Sequence, residues 1–190
     1  MPPFARRLLA WLLGDYSVYR ILSSEGAPQG VPASPAGLQL AVVEAADLAS
    51  SGEALIREQA WYGGSESRIY ACRLDDQIVA CCIYWYGARY RTRNFWPLRH
   101  NQAKLVQIIT LPSQRGRGLA RLLIAFSGND MRSRGFDSLF ARVWHSNRPS
   151  LSAFEASGWR RVATVVEAYP LGLGRKWRWV IGARPAEPEA

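Results

Sequence analysis

Arg115-Gly116-Arg117-Gly118-Leu119-Ala120 stands between an apolar run ending at Leu111-Pro112 and a second one, Leu122-Leu123-Ile124-Ala125-Phe126. Residues of these types in this order can hold a pyrophosphate. Two glycines let the backbone approach a ligand closely, and a helix opening after them aims unpaired N–H groups and the positive end of its dipole at phosphate oxygens. Arg115 and Arg117 add positive charge. Two other nucleotide loops are excluded, because no Gly-Lys-Ser/Thr ending is present and the spacing is not Gly-x-Gly-x-x-Gly.

The loop resembles the pyrophosphate loop of the GCN5-related N-acetyltransferases, Arg/Gln-x-x-Gly-x-Gly/Ala, which Arg115, Gly118 and Ala120 satisfy. Asn147-Arg148-Pro149-Ser150-Leu151-Ser152-Ala153-Phe154-Glu155-Ala156-Ser157-Gly158-Trp159 resembles that family's second signature, an Asn before a short helix and a Gly-aromatic pair. The likeness covers residues 38 to 181. It implies a mixed α/β fold of the α+β type, with a mostly antiparallel sheet of six to seven strands flanked by helices and splayed between the fourth and fifth strands. Acetyl-CoA or a related acyl-CoA would bind in the splay as co-substrate, with no metal. Backbone groups of Ile108, Ile109 and Thr110 would pair with the pantetheine arm. Arg115, Gly116, Arg117, Gly118, Leu119, Ala120 and Arg121 would surround the pyrophosphate. Asn147 would hydrogen-bond the pantetheine or cap the helix that follows it, and Phe154 would lie beside the cofactor.

Two positions depart from the family pattern. Many members place a proton-donating tyrosine seven residues after the Asn and a glutamate base five residues before it; this chain has Phe154 and Arg142 there. Phenylalanine has no proton to give, and arginine keeps its own above a pKa of about 12. His145 is then the best base for the acceptor amine, its alternative role being a hydrogen bond within the loop before Asn147. His100, Tyr62 and Glu58 are further candidates. Between the third and fourth predicted strands, Arg89, Arg91, Arg93, Trp96 and His100 form a substrate-binding loop of guanidinium and aromatic groups, suited to an anionic ligand with a sugar or flat portion; the other reading is a solvated hairpin loop.

These groups need a scaffold. Runs at 38–43, 67–74, 77–86, 104–111, 138–144, 160–166 and 175–181 read as strands. Helices are expected within 44–62 and over 117–134 and 150–157. Asp75-Asp76 marks a hairpin. Residues 1–37 read as an N-terminal amphipathic segment, 4–22, followed by a Pro/Ala/Gly-rich linker, 38–183 as the acyltransferase domain and 184–190 as a disordered tail. The 4–22 segment is too apolar to stay free, so it docks on the domain or lies peripherally on a membrane.

Composition limits the partners. The chain has 190 residues, 48% of them hydrophobic, enough for one domain with a substantial core, and its formal net charge is +9. That charge disfavours a polycationic acceptor. A nucleic-acid partner is not expected, because the basic residues are spread along the chain without a recognition motif. Cys72, Cys81 and Cys82 lack metal-ligand spacing and read as reduced core residues of a cytoplasmic protein. No motif speaks to oligomeric state. The expectation is an acyl-CoA-dependent N-acyltransferase acting on a primary amine, with an amino sugar or phosphate-bearing small molecule the favoured acceptor. The alternatives are a protein amine as acceptor and a non-catalytic acyl-CoA sensor.

Overall fold

Residues 16–26, 30–93, 95–169 and 176–183 are described by a computed structural model of the chain. In chain order the strands are β1 (Tyr16–Glu25), β2 (Leu38–Val43), β3 (Ser67–Leu74), β4 (Gln77–Trp85), β5 (Gln102–Thr110), β6 (Ser138–Trp144), β7 (Arg160–Ala168) and β8 (Trp177–Gly182). The helices are α1 (Ala45–Ala49), α2 (Ala54–Arg57), α3 (Leu119–Ser133) and α4 (Arg148–Ala156). Among the described residues all strands belong to one sheet, ordered β2-β3-β4-β5-β6-β1-β7-β8. Every neighbouring pair is antiparallel except β5 and β6, which run parallel.

Local chemistry explains several of these elements. Asp75 and Asp76 have φ of 49° and 61°, so the β3–β4 hairpin turns on two left-handed residues, a conformation aspartate tolerates and one that matches the twist of the flanking strands. β4 is buried almost throughout because both its faces are covered: Tyr84 reaches Ser127 on α3, and Trp85 donates its indole N–H to the Tyr62 carbonyl at 2.7 Å. Cys72, Cys81 and Cys82 are free, buried thiols on these central strands, and burial pushes the first two up to about 12. α3 buries Leu119, Leu122, Leu123 and Ile124 against the sheet. Its outer end is tied by Asp130, which accepts from Tyr70 at 2.7 Å, Arg134 at 2.9 Å and Arg68 at 3.1 Å.

The start of the folded unit differs from the sequence expectation. Tyr16–Glu25 is a strand in the middle of the sheet, not part of a helical segment ahead of the domain, so the sheet has eight strands and a boundary at residue 38 is too late. β1 lies between β6 and β7, with Tyr19 opposite Trp144 on one side and Val165 on the other. A register shift between Ile21 and Leu22 lets these consecutive residues both be fully buried. Leu22 joins the main core under α3, and Ile21 joins a second cluster with Tyr19, Trp96, Phe140, Ala163 and Val165. Each such side chain contributes about 1.5–3 kcal/mol through burial. Residues 4–15 of the expected amphipathic segment and the tail 184–190 lie outside the described residues. Among the described residues no helix is long and apolar enough to cross a membrane.

A truncated protein beginning at Gly37 should therefore show no cooperative thermal transition, because β6 and β7 lose the strand that joins them. Leu22→Ala in the full chain should lower stability by about 2–5 kcal/mol in a urea titration. Native-like melting of the truncation would refute the structural role of β1.

Candidate active site

β5 and β6 pair only from Gln102–Ser138 to Leu105–Ala141. Beyond these positions the strands part. On its other side β5 stays paired with β4 as far as Ala80–Thr110, with a register shift that opposes Tyr84 to Leu105 and Ile83 to Gln107. Val106 is the extra residue, and the bulge bends β5 away where β6 diverges. The fork is a cleft of about 220 Å³. β5 contributes Leu105 to Ile108, β6 contributes Ala141 to Trp144, and Asn147, Ser150 and Phe154 close it from α4, with Tyr62 and Phe95 on the loops.

Beside the fork, β5 leads through Leu111 into the glycine loop. Gly116 and Gly118 have φ of 78° and 76°, and a Cβ placed on either would meet nothing within 4 Å. Backbone conformation thus favours glycine here, and the space in front of the loop is open to a ligand. Gly118 is the N-cap of α3, and the first helical bond runs from Leu122 N–H to the Gly118 carbonyl at 3.0 Å. The N–H groups of Leu119, Ala120 and Arg121 precede that bond, as an anion site needs. Arg115, Arg117 and Arg121 are exposed around them.

Of the two roles expected of Asn147 the structure shows the cap: its Oδ1 accepts from Ser150 N–H at 3.2 Å, and the residue lines the cleft. Phe154 is buried in the cleft wall, edge-on to Trp159 at 4.9 Å. Sequence reading missed Gln107. Its Oε1 accepts from Ile108 N–H at 3.2 Å and its Nε2 donates to buried Gln59 at 2.8 Å, so this side chain satisfies a backbone donor on the strand at the fork. Trp144 was also missed as a cleft residue; it lines the cleft where β6 parts from β5.

Other expected residues lie elsewhere. His145 does not line the cleft; its backbone N–H and its Nδ1 each approach the Val18 carbonyl at 3.0 Å, the loop role, which places the ring proton on Nδ1 and the lone pair on Nε2. Arg89 is a structural clamp, donating to the carbonyls of Trp61 at 3.2 Å and Gly63 at 2.5 Å. Trp96 is buried against Phe140 and is not a stacking platform. Arg91 and His100 are exposed outside the cleft, and the Arg93 side chain lies outside the described residues. Among the described residues no group of three His, Cys, Asp or Glu could hold a metal.

Lys104 is the one fully buried lysine, standing on β5 just before the fork. Its Nζ donates to Tyr90 Oη and, at 2.5 Å, to the Trp96 carbonyl, and it lies 3.5 Å from the Phe95 ring centroid. It thereby pins the β4–β5 connection over the sheet. Burial, with repulsion from Arg142 and Arg178 added, holds this amine well below its ordinary 10.5.

A family model described as the acetyltransferase (GNAT) family matches residues 41–159. No curated protein matches the chain in sequence. Among solved structures, a GCN5-related N-acetyltransferase from Sphaerobacter thermophilus is 16% identical with a TM-score of 0.60, over 95% of this chain and 57% of that one. A GNAT-family acetyltransferase from Colwellia psychrerythraea is 12% identical with a TM-score of 0.58, over 87% and 61%. A tandem GNAT protein from the clavulanic acid biosynthesis pathway is 15% identical with a TM-score of 0.55, over 98% and 61%. At these identities the likeness is one of fold. The chain spans about three fifths of the length of these structures.

Lys104 gives a signed pH dependence. The unfolded chain takes up its proton at the ordinary 10.5 while the folded chain resists it, so stability rises with pH between the lowered value and 10.5. Urea titrations at about pH 7.5 and about pH 9 should show the parent gaining on Lys104→Met, by at most about 1.4 kcal/mol per pH unit. Parallel pH profiles would mean that Lys104 is charged in the folded protein.

Proposed function

The chain belongs to the GNAT acetyltransferase family, and we propose that it moves an acyl group, acetyl foremost, from acyl-CoA directly to a primary amine in the fork between β5 and β6. One observation carries this reading: β5 and β6 part after Leu105–Ala141, immediately beside a helix that opens on left-handed Gly118. The parted strand supports a pantetheine reading for Ile108, Ile109 and Thr110, and the loop from Arg115 to Arg121 supports a pyrophosphate reading.

Chemically, the neutral amine attacks the thioester carbonyl, the C–S bond breaks as the new C–N bond is completed, and the coenzyme leaves as a thiolate. Phe154 gives that thiolate no proton. A thiol's ordinary pKa of about 8–9 makes the thiolate a tolerable leaving group near neutrality without one. The amine's proton passes to water, and through water to His145 Nε2 outside the cleft, whose Nδ1 meets the Val18 carbonyl. Asn147 orients the pantetheine through its amide N–H groups. The favoured acceptor is an amino sugar or another small amine bearing an anionic group. Phe154 and Arg142 also favour a second reading, a sensor that binds acyl-CoA without turnover.

Calorimetry with CoA tests the cofactor site. Gly118→Asp, a residue type that tolerates left-handed backbone, should remain folded and lose CoA affinity by about tenfold to a hundredfold, because a carboxylate then faces the pyrophosphate. Unchanged affinity in the folded variant would remove the loop from the site. Thiol release with an amine panel separates enzyme from sensor. Phe154→Tyr should raise turnover if proton donation to the thiolate limits the rate. An identical pH–rate profile in His145→Ala and the parent would exclude His145 as base.

A further inference from the structure

Arg142 is the single ionised side chain among the residues that line the cleft. It follows Ala141, the last β6 residue paired to β5, and so stands at the crotch of the fork. Three rings hold its guanidinium: Cζ lies 4.7 Å from the Phe95 centroid, 5.3 Å from that of Tyr19 and 5.4 Å from that of Trp144. Such contacts fix the plane of the group and leave its N–H edges as donors. Among the described residues no carboxylate forms an ion pair with it. Glu167, which reaches the same Tyr19 at 2.9 Å, is occupied by Lys176 at 3.1 Å and Arg178 at 3.5 Å.

The surroundings reinforce that charge. Arg178 donates to the Phe95 carbonyl at 2.9 Å and so brings a second guanidinium to the same ring's residue. Glutamate at position 142 would attract a cationic acceptor and could take its proton; arginine repels a cation and offers a planar fork to an oxyanion. Arg89 cannot supply the same recognition, since it is bound to two backbone carbonyls.

We propose that Arg142 reads an oxyanion on the acceptor, so that the substrate is an amine that also carries a carboxylate or a phosphate, with its remaining body against Phe95 and Trp144. This rests on the acyl-transfer reading above. The amine of such a molecule reaches toward the thioester while its anion stays at the crotch.

The test is calorimetry on the full chain saturated with CoA, using glucosamine against glucosamine 6-phosphate and phenylalanine amide against phenylalanine. The anionic member of one pair should bind about tenfold more tightly or better, and the pair that discriminates identifies the oxyanion. Arg142→Gln should erase the difference, and Arg142→Lys should retain part of it, because lysine keeps the charge without the fork. No preference in either pair, including no binding by any of the four, overturns the proposal, as does a preference that survives in Arg142→Gln. CoA binding by the parent is measured first: its failure defeats the acyl-transfer reading, whereas CoA binding without anion discrimination defeats only the assignment of Arg142.

Discussion

Backbone hydrogen bonds that β5 and β6 do not make with each other govern the rest of this molecule. A strand edge left open inside a protein carries N–H and C=O groups that must find partners, and each one buried without a partner costs about 1–3 kcal/mol. The fork can persist because both arms are braced from outside, β5 by β4 along nearly its whole length and β6 by β1. Within the fork, Gln107 already answers one donor, that of Ile108. A pantetheine arm carrying two amides suits the remaining groups, so the opening is a scaffolding problem before it is a chemical one.

The second dependency is electrostatic. Lys104, Arg142 and Arg178 surround Phe95, yet the carboxylate in their neighbourhood, Glu167, pairs with Arg178 and leaves Arg142 alone. Burial and mutual repulsion favour the uncharged form of Lys104, which eases the crowding of cations. Lys104 then acts as a hydrogen-bond donor, tying Trp96 and Tyr90 to the sheet and setting the position of Phe95 over the cleft. Lys104 is thus a mechanical fastener for the Phe95 side of the cleft.

What could be read in the sequence were features with a local cause. Gly116 and Gly118 mark left-handed backbone, Asp75-Asp76 marks a hairpin, and Asn147 marks a helix start; all three follow from bonds within a few residues. β1 was obscured because Tyr16 to Leu22 continues an apolar run, Leu8 to Leu13, whose spacing suggested one helical face, although Tyr19-Arg20-Ile21 alternates as a strand should. The loop of Arg89 and Trp96 was legible as a cluster and misread in direction. Which members of such a cluster face a ligand depends on Lys104 and on carbonyls at Trp61 and Gly63, partners that no spacing rule connects to it.

The position of β1 also bears on how the chain reaches this state. It leaves the ribosome well before both strands that flank it, and His145 contacts Val18 across 127 residues of sequence. Until β6 and β7 exist, Tyr19, Ile21 and Leu22 have nowhere to be buried, and closing so long a loop is slow compared with forming the β3–β4 hairpin. Half of the sheet can therefore assemble during synthesis while the other half waits for its wedge. In that interval the unfilled slot between β6 and β7 would accept the same strand from a neighbouring copy, so crowded synthesis exposes this chain to domain swapping through its first strand.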